Sequence, residues 1–496
     1  MQLRITFLAL VVLAIVGGFA YYINRHPEAQ QKHKLFKLTP ADIAKIELRG
    51  PGRDLVMVRS GHKTWRIVKP FATAADNNAV DDMARAIANL EVLDTVESKP
   101  GDLANFGLAN PAVTIIVTTK NKRELPGIMI GSDTPIGSNT YIKTTDKPAV
   151  LLISSGFTAE SGRTLKDLRS HVLVNLTADQ MKRVSIIHPD GATIEVVRDG
   201  DTWKITKPRE YPADQAVVKS LLDVIAHAHV TEFIEDNPTD LEKFGLANPS
   251  LKFEVDGGKD DAKYSVAIGF EQPEASKKAV FARTNQDDRP VCTIGDYIVK
   301  AVDKSFDDLR DKTVLRFDQS KVARITMFGG PISIVLQRTP DNKWSVIAQG
   351  KTVPAKPDVV VSLLGQLHDL QGSRIVEDPM TDPQRFGMVQ PTLTTVLYDS
   401  EAKEIGSIKV SQIEAVMRPN SPAQKAARKT FGYATSSADK AVYQVTAGRV
   451  VDLENTASTL KDEAAPKPAQ SAKPAKPAKS ASGASPSGAP ATATTP

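Results

Sequence analysis

A long internal repeat limits the fold of this chain more than any other feature. Its three tryptophans lie 138 and 141 residues apart, and a Phe-Gly pair recurs downstream at nearly the same period. A proline follows each of those glycines by four residues, and an aspartate precedes each by five. A period near 140 residues is the size of a domain, which predicts tandem domains rather than a solenoid. The recurring markers are Trp65, Trp203, Trp344, Phe106, Phe244, Phe386, Gly107, Gly245, Gly387, Pro111, Pro249, Pro391, Asp102, Asp240 and Asp382.

The markers and the composition of the two ends divide the chain of 496 residues into five parts. Three repeats form the centre, with an apolar segment before them and a low-complexity segment after them. The predicted parts are an N-terminal membrane anchor and linker (1–34), repeat 1 (35–170), repeat 2 (171–311), repeat 3 (312–461) and a disordered Ala/Pro/Lys/Ser-rich tail (462–496).

Each repeat is predicted to be an α+β unit of mostly antiparallel strands with two or three helices. Apolar and polar residues alternate in short segments on both sides of one helical segment. In repeat 1 that segment places Val80, Met83 and Ile87 on one face, which is typical of a helix packed on a core. Asp76 and Asp214 suit the N-cap of this helix, and Pro357 suits its first turn in repeat 3. Predicted strands of repeat 1 are 45–48, 54–58, 65–68, 113–117, 127–130, 141–144 and 150–153.

The segment from Asp102 to Leu108 predicts one helical turn that is fixed at both ends. Aspartate is a favoured N-cap residue, and glycine five residues later is free to adopt a positive φ at the C-terminal end. The phenylalanine between them is expected to face the interior. An aspartate that occurs three times also invites a catalytic interpretation, but capping explains it with fewer assumptions.

The N-terminal segment from Ile5 to Ile23 contains no charged residue. At about 1.5 Å per residue, a helix of this length spans roughly 30 Å of hydrocarbon. Tyr21 and Tyr22 lie at its end, where an interfacial belt is expected. We predict an uncleaved transmembrane helix in the lipid bilayer, with a cleaved signal peptide as the alternative.

The orientation of this segment follows from two opposing arguments. Arg25, Lys32, Lys34 and Lys37 follow it, whereas Arg4 is the one basic side chain before it, and the positive-inside rule would keep the body in the cytoplasm. A first apolar segment with a very short leader, however, usually acts as a signal-anchor. We therefore expect a single-pass protein of the bacterial inner membrane with its body in the periplasm.

The C-terminal tail accounts for the positive charge of the chain. The formal net charge is +5, and Lys467, Lys473, Lys476 and Lys479 lie in a segment without acidic residues. A body near neutrality predicts no binding of nucleic acid. The tail is expected to be disordered, and its lysines suggest contact with an anionic envelope polymer; a solubilising tail without a partner is the alternative.

The sequence contains no recognisable catalytic motif. It has no nucleophile elbow, P-loop, dinucleotide fingerprint or zinc-protease motif, so we predict no catalytic residue, no cofactor and no metal. The lone Cys292 is expected to be a small core residue. His227 and His229 form the one close histidine pair, and no carboxylate completes a metal site in the same short element.

Two composite patterns resemble the DUF4340 family. One is W-x-[IV]-x-x-P followed by Ala-Asp before a helix, and the other is [FY]-G-L-x-x-P. They cover 65–111 and 203–249; repeat 3 departs from them because Pro208 has no equivalent there and Met388 replaces leucine. The resemblance implies a bacterial protein with an N-terminal membrane segment and no assigned activity. It also implies proximity to ABC-transporter components of the gliding-motility type.

These observations lead to three hypotheses of function. The first is a non-enzymatic, membrane-tethered envelope protein that acts as a scaffold or auxiliary subunit, with membrane transporter subunits as partners. The second is a periplasmic binding module for glycan, lipid or peptide, which predicts a concave apolar site with convergent polar groups between repeats. The third is a hydrolase in repeat 3, where 418–428 is an insertion.

Overall fold

A computed structural model describes residues 33–61, 64–273, 278–285, 290–414 and 430–464. The chain forms two compact bodies, one ending at Asp311 and the other beginning at Lys312. Repeats 1 and 2 lie in the first body and repeat 3 in the second. No helix within the described ranges has the length and apolar character needed to cross a bilayer. The predicted anchor at Ile5–Ile23 and the tail beyond Ala464 lie outside these ranges.

Each repeat contains one nine-stranded antiparallel sheet. A further two-stranded sheet joins β1 (His33–Lys34) to β6 (Glu91–Val92). The other strands of repeat 1 are β2 (Ile43–Gly50), β3 (Arg53–Arg59), β4 (Trp65–Lys69), β5 (Thr73–Ala74), β7 (Asp94–Glu97), β8 (Val113–Thr119), β9 (Ile128–Asp133), β10 (Asn139–Thr144) and β11 (Val150–Ser154).

Repeats 2 and 3 contain the same nine strands in the same chain order. Those of repeat 2 are β12 (Met181–Ile187), β13 (Thr193–Asp199), β14 (Thr202–Lys207), β15 (Tyr211–Pro212), β16 (Val230–Glu235), β17 (Leu251–Gly257), β18 (Ala262–Glu271), β19 (Ala279–Thr284) and β20 (Val291–Gly295). Those of repeat 3 are β21 (Arg324–Gly329), β22 (Ile332–Arg338), β23 (Trp344–Ala348), β24 (Lys351–Pro354), β25 (Arg374–Glu377), β26 (Leu393–Tyr398), β27 (Glu404–Glu414), β28 (Thr430–Ser436) and β29 (Val442–Thr446).

The three sheets have one topology. In repeat 1 the spatial order is β5-β4-β3-β2-β8-β9-β10-β11-β7, and the sheets of the other repeats follow the same order with their own strands. Two meanders, β2 to β5 and β8 to β11, are therefore joined through the central pair β2–β8. β7, which comes after the long helix and β6 in the chain, lies at the far edge.

Eight α-helices occur among the described residues, and each repeat contains one helix of 12 residues. In repeat 1 its faces agree with the prediction: Val80, Met83 and Ile87 are fully buried against the sheet. The helices are α1 (Asn77–Ala88), α2 (Gly156–Ser161), α3 (Leu165–Leu168), α4 (Gln215–Ala226), α5 (Asp296–Val302), α6 (Phe306–Leu309), α7 (Pro357–His368) and α8 (Ala447–Ala464).

The helix starts also agree with the sequence. Asp76 and Asp214 each accept hydrogen bonds from two backbone N–H groups of the first turn. In repeat 3, Lys356 provides no side-chain cap, and Pro357 occupies the first turn. The end of repeat 3 differs from the prediction, because α8 continues past Glu454 to Ala464 and enters the segment that was assigned to the tail.

The Phe-Gly markers belong to a second, smaller apolar cluster on the other face of each sheet. Phe106 packs edge-on against Tyr141, with ring centroids 5.1 Å apart. The next residue on that strand, Ile142, points into the main core, and successive strand residues point to opposite faces. The corresponding pairs in repeats 2 and 3 are Phe244–Phe281 at 5.0 Å and Phe386–Tyr433 at 5.3 Å.

The short turn that presents each phenylalanine contacts the sheet through its backbone. Gly107 ends this turn at a φ of 66°. The carbonyl of Phe106 occupies the place where a Cβ on Gly131 would lie, and Phe244 and Gly269 repeat this contact. In repeat 3, Ser411 stands at this position, and its hydroxyl donates to the carbonyl of Phe386.

We predict that Gly131→Ala destabilises the protein by about 1–3 kcal/mol, because the added methyl group forces backbone apart in a packed region. Gly101→Ala is the matched control in the same repeat, since nothing lies within 4 Å of a Cβ there. Urea unfolding measures both variants. Equal urea midpoints for Gly131→Ala and Gly101→Ala would contradict the close contact between Gly131 and the carbonyl of Phe106.

Candidate functional site

Each of the three tryptophan markers is covered by an arginine side chain. An arginine from the preceding strand covers each indole, with Cζ to ring-centroid distances of 4.2 Å for Arg59–Trp65, 5.0 Å for Arg198–Trp203 and 5.2 Å for Arg338–Trp344. Cation–π contacts at this range stabilise by about 0.5–1 kcal/mol or more. Trp65 and Trp203 are buried, and Trp344 is half-buried. All three tryptophans therefore have a packing role. Trp65 differs from the other two because its indole N–H donates to Oδ1 of Asp81 at 2.7 Å and because it also lines a cavity.

The arginines of these pairs also hold the start of each repeat. Nε of Arg59 donates to the carbonyl of Ile43 at 3.0 Å, and Nε of Arg198 donates to that of Met181 at 3.1 Å. Nη1 of Arg338 donates to the carbonyl of Ser320 at 3.1 Å. The arginine lies five or six residues before each tryptophan, so a search for residues at fixed offsets from the markers would have found it.

The aspartate and proline markers lie at chain turns. Asp102, Asp240 and Asp382 each accept a hydrogen bond from the backbone N–H two residues later, at 2.8, 2.9 and 3.0 Å. Pro111, Pro249 and Pro391 each precede a central strand by two residues. No marker brings together the groups of a catalytic site.

A buried arginine at the boundary of repeats 1 and 2 was not identified from the sequence. The side chain of Arg169 is 2% exposed, and its Nη1 donates to Oδ1 of Asp236 at 2.6 Å. The Cζ atom of its guanidinium lies 4.0 Å from the ring centroid of Phe233 and 5.3 Å from that of Phe71. A guanidinium group suits such a site because its planar, delocalised charge can stack on an aromatic ring while its N–H groups donate hydrogen bonds to a carboxylate.

The equivalent positions differ between repeats. Arg310 follows Leu309 as Arg169 follows Leu168, and it is also buried, with its Cζ 4.9 Å from the ring centroid of Tyr211. In repeat 3 this position is Glu454, and burial raises the pKa of that carboxyl group. The recurrence of Asp-Leu-Arg in the first two repeats was the available sequence signal.

A cavity of about 290 Å³ lies next to Arg169, between repeats 1 and 2 of the first body. Apolar lining comes chiefly from Trp65, Val172, Val230 and Phe233. Polar lining comes from hydroxyl, amide and guanidinium groups, whose residues are Thr64, Thr73, Asn77, Arg169, Ser170, Asn175, Tyr264 and Thr284. Concavity and convergent polar groups are the usual properties of a binding site for a small molecule.

The predicted histidine and cysteine features fall outside any reactive cluster of the described residues. Within these ranges, no group of three His, Cys, Asp or Glu side chains is placed to hold a metal ion. Nδ1 of His227 and Nδ1 of His229 lie near the backbone carbonyls of Asp223 and His227. Cys292 is buried and lines the cavity, and its thiol donates to the carbonyl of Ala282 at 3.3 Å. The insertion 418–428 lies outside the described residues.

Glu195 of repeat 2 is a buried carboxylate with a strongly shifted pKa. Burial by itself raises the pKa of Glu195, but hydrogen bonds from Thr206, Arg183 and Lys207 outweigh it and lower the pKa to about 2. Its Oε1 accepts from Thr206 at 2.7 Å, and its Oε2 accepts from Arg183 at 2.9 Å. A carboxylate held ionised in this way is a weak base, so the network supports the sheet rather than proton transfer.

We predict that Glu195→Gln removes pH-dependent stability. Because the pKa is lower in the folded state than its ordinary value of 4.5, the unfolded chain binds the proton first as the pH falls. The contribution, roughly 3 kcal/mol, is present above pH 5 and is lost towards pH 2. Unfolding free energies from pH 2 to 7 should converge with wild type at the acid end, with exposed Glu210→Gln as the control. A difference in unfolding free energy that stays constant from pH 2 to 7 would contradict the stabilisation of ionised Glu195 by its hydrogen bonds.

We predict that Arg169→Met destabilises the first body by about 1–3 kcal/mol. The methionine keeps apolar contact with both rings but leaves Asp236 without its cation, and partial exposure of Asp236 limits the loss. Arg85→Met, at an exposed pair with Asp82, is the control and should cost at most about 0.5 kcal/mol. Denaturant titration followed by tryptophan fluorescence measures both; equal losses would exclude a special role for Arg169.

Comparison with known families gives one decisive match. DUF4340, described as a domain of unknown function, matches residues 65–204 and 203–391, more than half of the chain. The chain belongs to the DUF4340 family. These two matched segments of the DUF4340 protein contain all three tryptophan markers, and the first also contains Arg169.

Other comparisons add no argument about function. No curated protein matches this DUF4340 chain. A DNA polymerase sliding clamp from Pseudomonas aeruginosa is 8% identical, with 83% of this chain and 93% of that chain covered and a TM-score of 0.15. The DNA polymerase III subunit beta from Pseudomonas aeruginosa is 7% identical, with 83% and 94% covered and a TM-score of 0.14. At such TM-scores, neither likeness carries an inference about fold or activity.

Proposed function

We propose that this DUF4340 protein is a non-enzymatic, membrane-tethered protein of the bacterial envelope. It acts as a scaffold or auxiliary subunit of an ABC-type transporter complex, with its body in the periplasm. The apolar segment Ile5–Ile23 supplies the tether, and the lysine-rich tail supplies contact with anionic envelope polymer.

The observation that carries this proposal is the role of the recurring residues. The tryptophans pack under arginines, the phenylalanines fill a second apolar cluster, and the aspartates cap turns. Positions kept in all three repeats therefore serve folding. An enzyme built from repeats would be expected to keep reactive groups as well, and a scaffold needs only the folded units and their surfaces.

A specific observation favours a second candidate, a periplasmic binding module. The cavity beside Arg169 has a volume of about 290 Å³, near the lower end of the range for small-molecule sites. Its polar groups come from both repeats, so a ligand there would contact both. The two candidates are compatible, since a transporter accessory subunit can also bind a ligand.

We expect the full-length protein, extracted from its native host in a mild detergent, to co-purify with a permease or ATPase subunit in fixed stoichiometry. A variant whose Ile5–Ile23 segment is replaced by an unrelated apolar helix is the matched control. Retention of the partner by this variant assigns the contact to the body, and loss assigns it to the membrane helix. Quantitative mass spectrometry measures the ratio.

Recovery of the protein without a membrane partner, in several detergents and after cross-linking in cells, would reject the transporter proposal. Recovery alone but with a bound small molecule would favour the binding module. Turnover against ester, glycoside and peptide substrates, abolished by one polar substitution, would reject both in favour of a hydrolase.

A further inference from the structure

The cavity beside Arg169 has a size and lining that select one class of ligand. We propose that it binds a single monosaccharide-sized polyol through its hydroxyl and amide groups, with an aromatic wall against the sugar ring. This inference rests on the binding-module function and names its ligand class.

The volume sets the first limit. A volume of about 290 Å³ lies near the lower end of the range for small-molecule sites. A single hexose ring suits a site of this size. An oligosaccharide or an acyl chain of membrane lipid would extend beyond the cavity, whereas a metal ion or a phosphate would leave most of it filled with water.

The polar lining sets the second limit. Seven neutral side chains with hydroxyl or amide groups line the cavity, and each can both donate and accept hydrogen bonds. Sugar hydroxyls have the same dual character, so a polyol can add to the hydrogen bonds that these groups make within the protein, such as the one that Asn77 accepts from the N–H of Trp65 at 2.7 Å. The seven are Thr64, Thr73, Asn77, Ser170, Asn175, Tyr264 and Thr284.

The aromatic lining comes from opposite repeats. Trp65 belongs to repeat 1 and Phe233 to repeat 2, and both line the cavity. Both rings are mostly buried, and Arg59 and Arg169 lie over them at 4.2 and 4.0 Å, so each ring presents to the cavity only the part that the arginine leaves uncovered. This apolar surface suits the C–H groups of a pyranose better than a charged ligand. A ligand that contacts both rings would also bridge the two repeats.

Charge favours a neutral ligand over an anion. Arg169 is the one Lys or Arg among the lining residues within the described ranges, and its guanidinium is already matched by the carboxylate of Asp236 at 2.6 Å. No carboxylate lines the cavity in this part of the chain, so a cationic ligand would find no counter-charge. Net charge near zero at the site therefore points to an uncharged polyol.

The test uses the full-length protein in phosphatidylcholine nanodiscs, which avoids competition from sugar-headed detergents. Calorimetric titration with glucose, galactose and N-acetylglucosamine forms the neutral arm. Glucuronate and citrate form the anionic arm, and a capped dipeptide forms the peptide arm. We expect binding in the neutral arm and about tenfold weaker binding by Tyr264→Phe, which removes one hydroxyl.

Two further variants keep the test decisive. Tyr297→Phe removes an exposed hydroxyl in the same repeat outside the cavity lining and should leave binding unchanged. Ala74→Phe adds a ring at an exposed position of the lining and should abolish binding while the protein still unfolds cooperatively. Sugar binding that resists both Tyr264→Phe and Ala74→Phe would overturn the assignment to this cavity.

The three arms of the titration also test the class of ligand separately from the function as a binding module. Binding in only the anionic or peptide arm would overturn the polyol proposal but leave a binding module in place. Binding in no arm would overturn the polyol proposal and weaken the binding module, while the co-purification result would still decide the scaffold function independently.

Discussion

One antiparallel strand pair in each repeat joins two meanders into a single sheet. In repeat 1 this is β2–β8, where Ile46 lies opposite Val117 and Leu48 opposite Ile115, all in the main core. The segment between these strands contains α1, the far edge strand and the capped turn. Closing such a long connection costs entropy, and the apolar contacts of the central pair and the helix must offset it. The helix, the edge strand and the Phe-Gly turn all lie in the connection that this pairing closes.

The local pattern of apolar and polar residues was sufficient to predict the central strands and the long helices. Their apolar periodicity is strong, and the caps at Asp76 and Asp214 are local signals. The edge strand Asp94–Glu97 was missed because all four of its residues are exposed and no alternation marks it. The pairing of Arg169 with Asp236 was missed for a different reason: the partners are far apart in sequence, and neither recurs in all three repeats. Cavities likewise depend on how two repeats meet, which periodicity does not encode.

Positions that recur in all three repeats differ in their surroundings from positions that do not recur. Residues at the shared positions make the same contacts in each of the three repeats. They therefore indicate which residues the fold of one repeat requires. Positions that differ are free to specialise: the first two repeats place a buried arginine where the third has Glu454, and the Arg169 cavity is lined by residues that do not recur as a set. Differences between copies are therefore the natural place to look for ligand and partner contacts in this family.

The contact between the Phe-Gly turn and its sheet also has an evolutionary consequence. Repeats 1 and 2 place a glycine beneath the turn, whereas repeat 3 places Ser411 there, and the serine hydroxyl donates to the carbonyl of Phe386. Both versions keep a backbone hydrogen bond at the end of the turn, from Gly107 to Ala104 and from Gly387 to Gln384. At Gly131 and Gly269, however, the phenylalanine carbonyl already occupies the place of a Cβ. A serine at either glycine would therefore be harmful unless the turn also moved away from the sheet, which is epistasis between two sites that touch through backbone atoms.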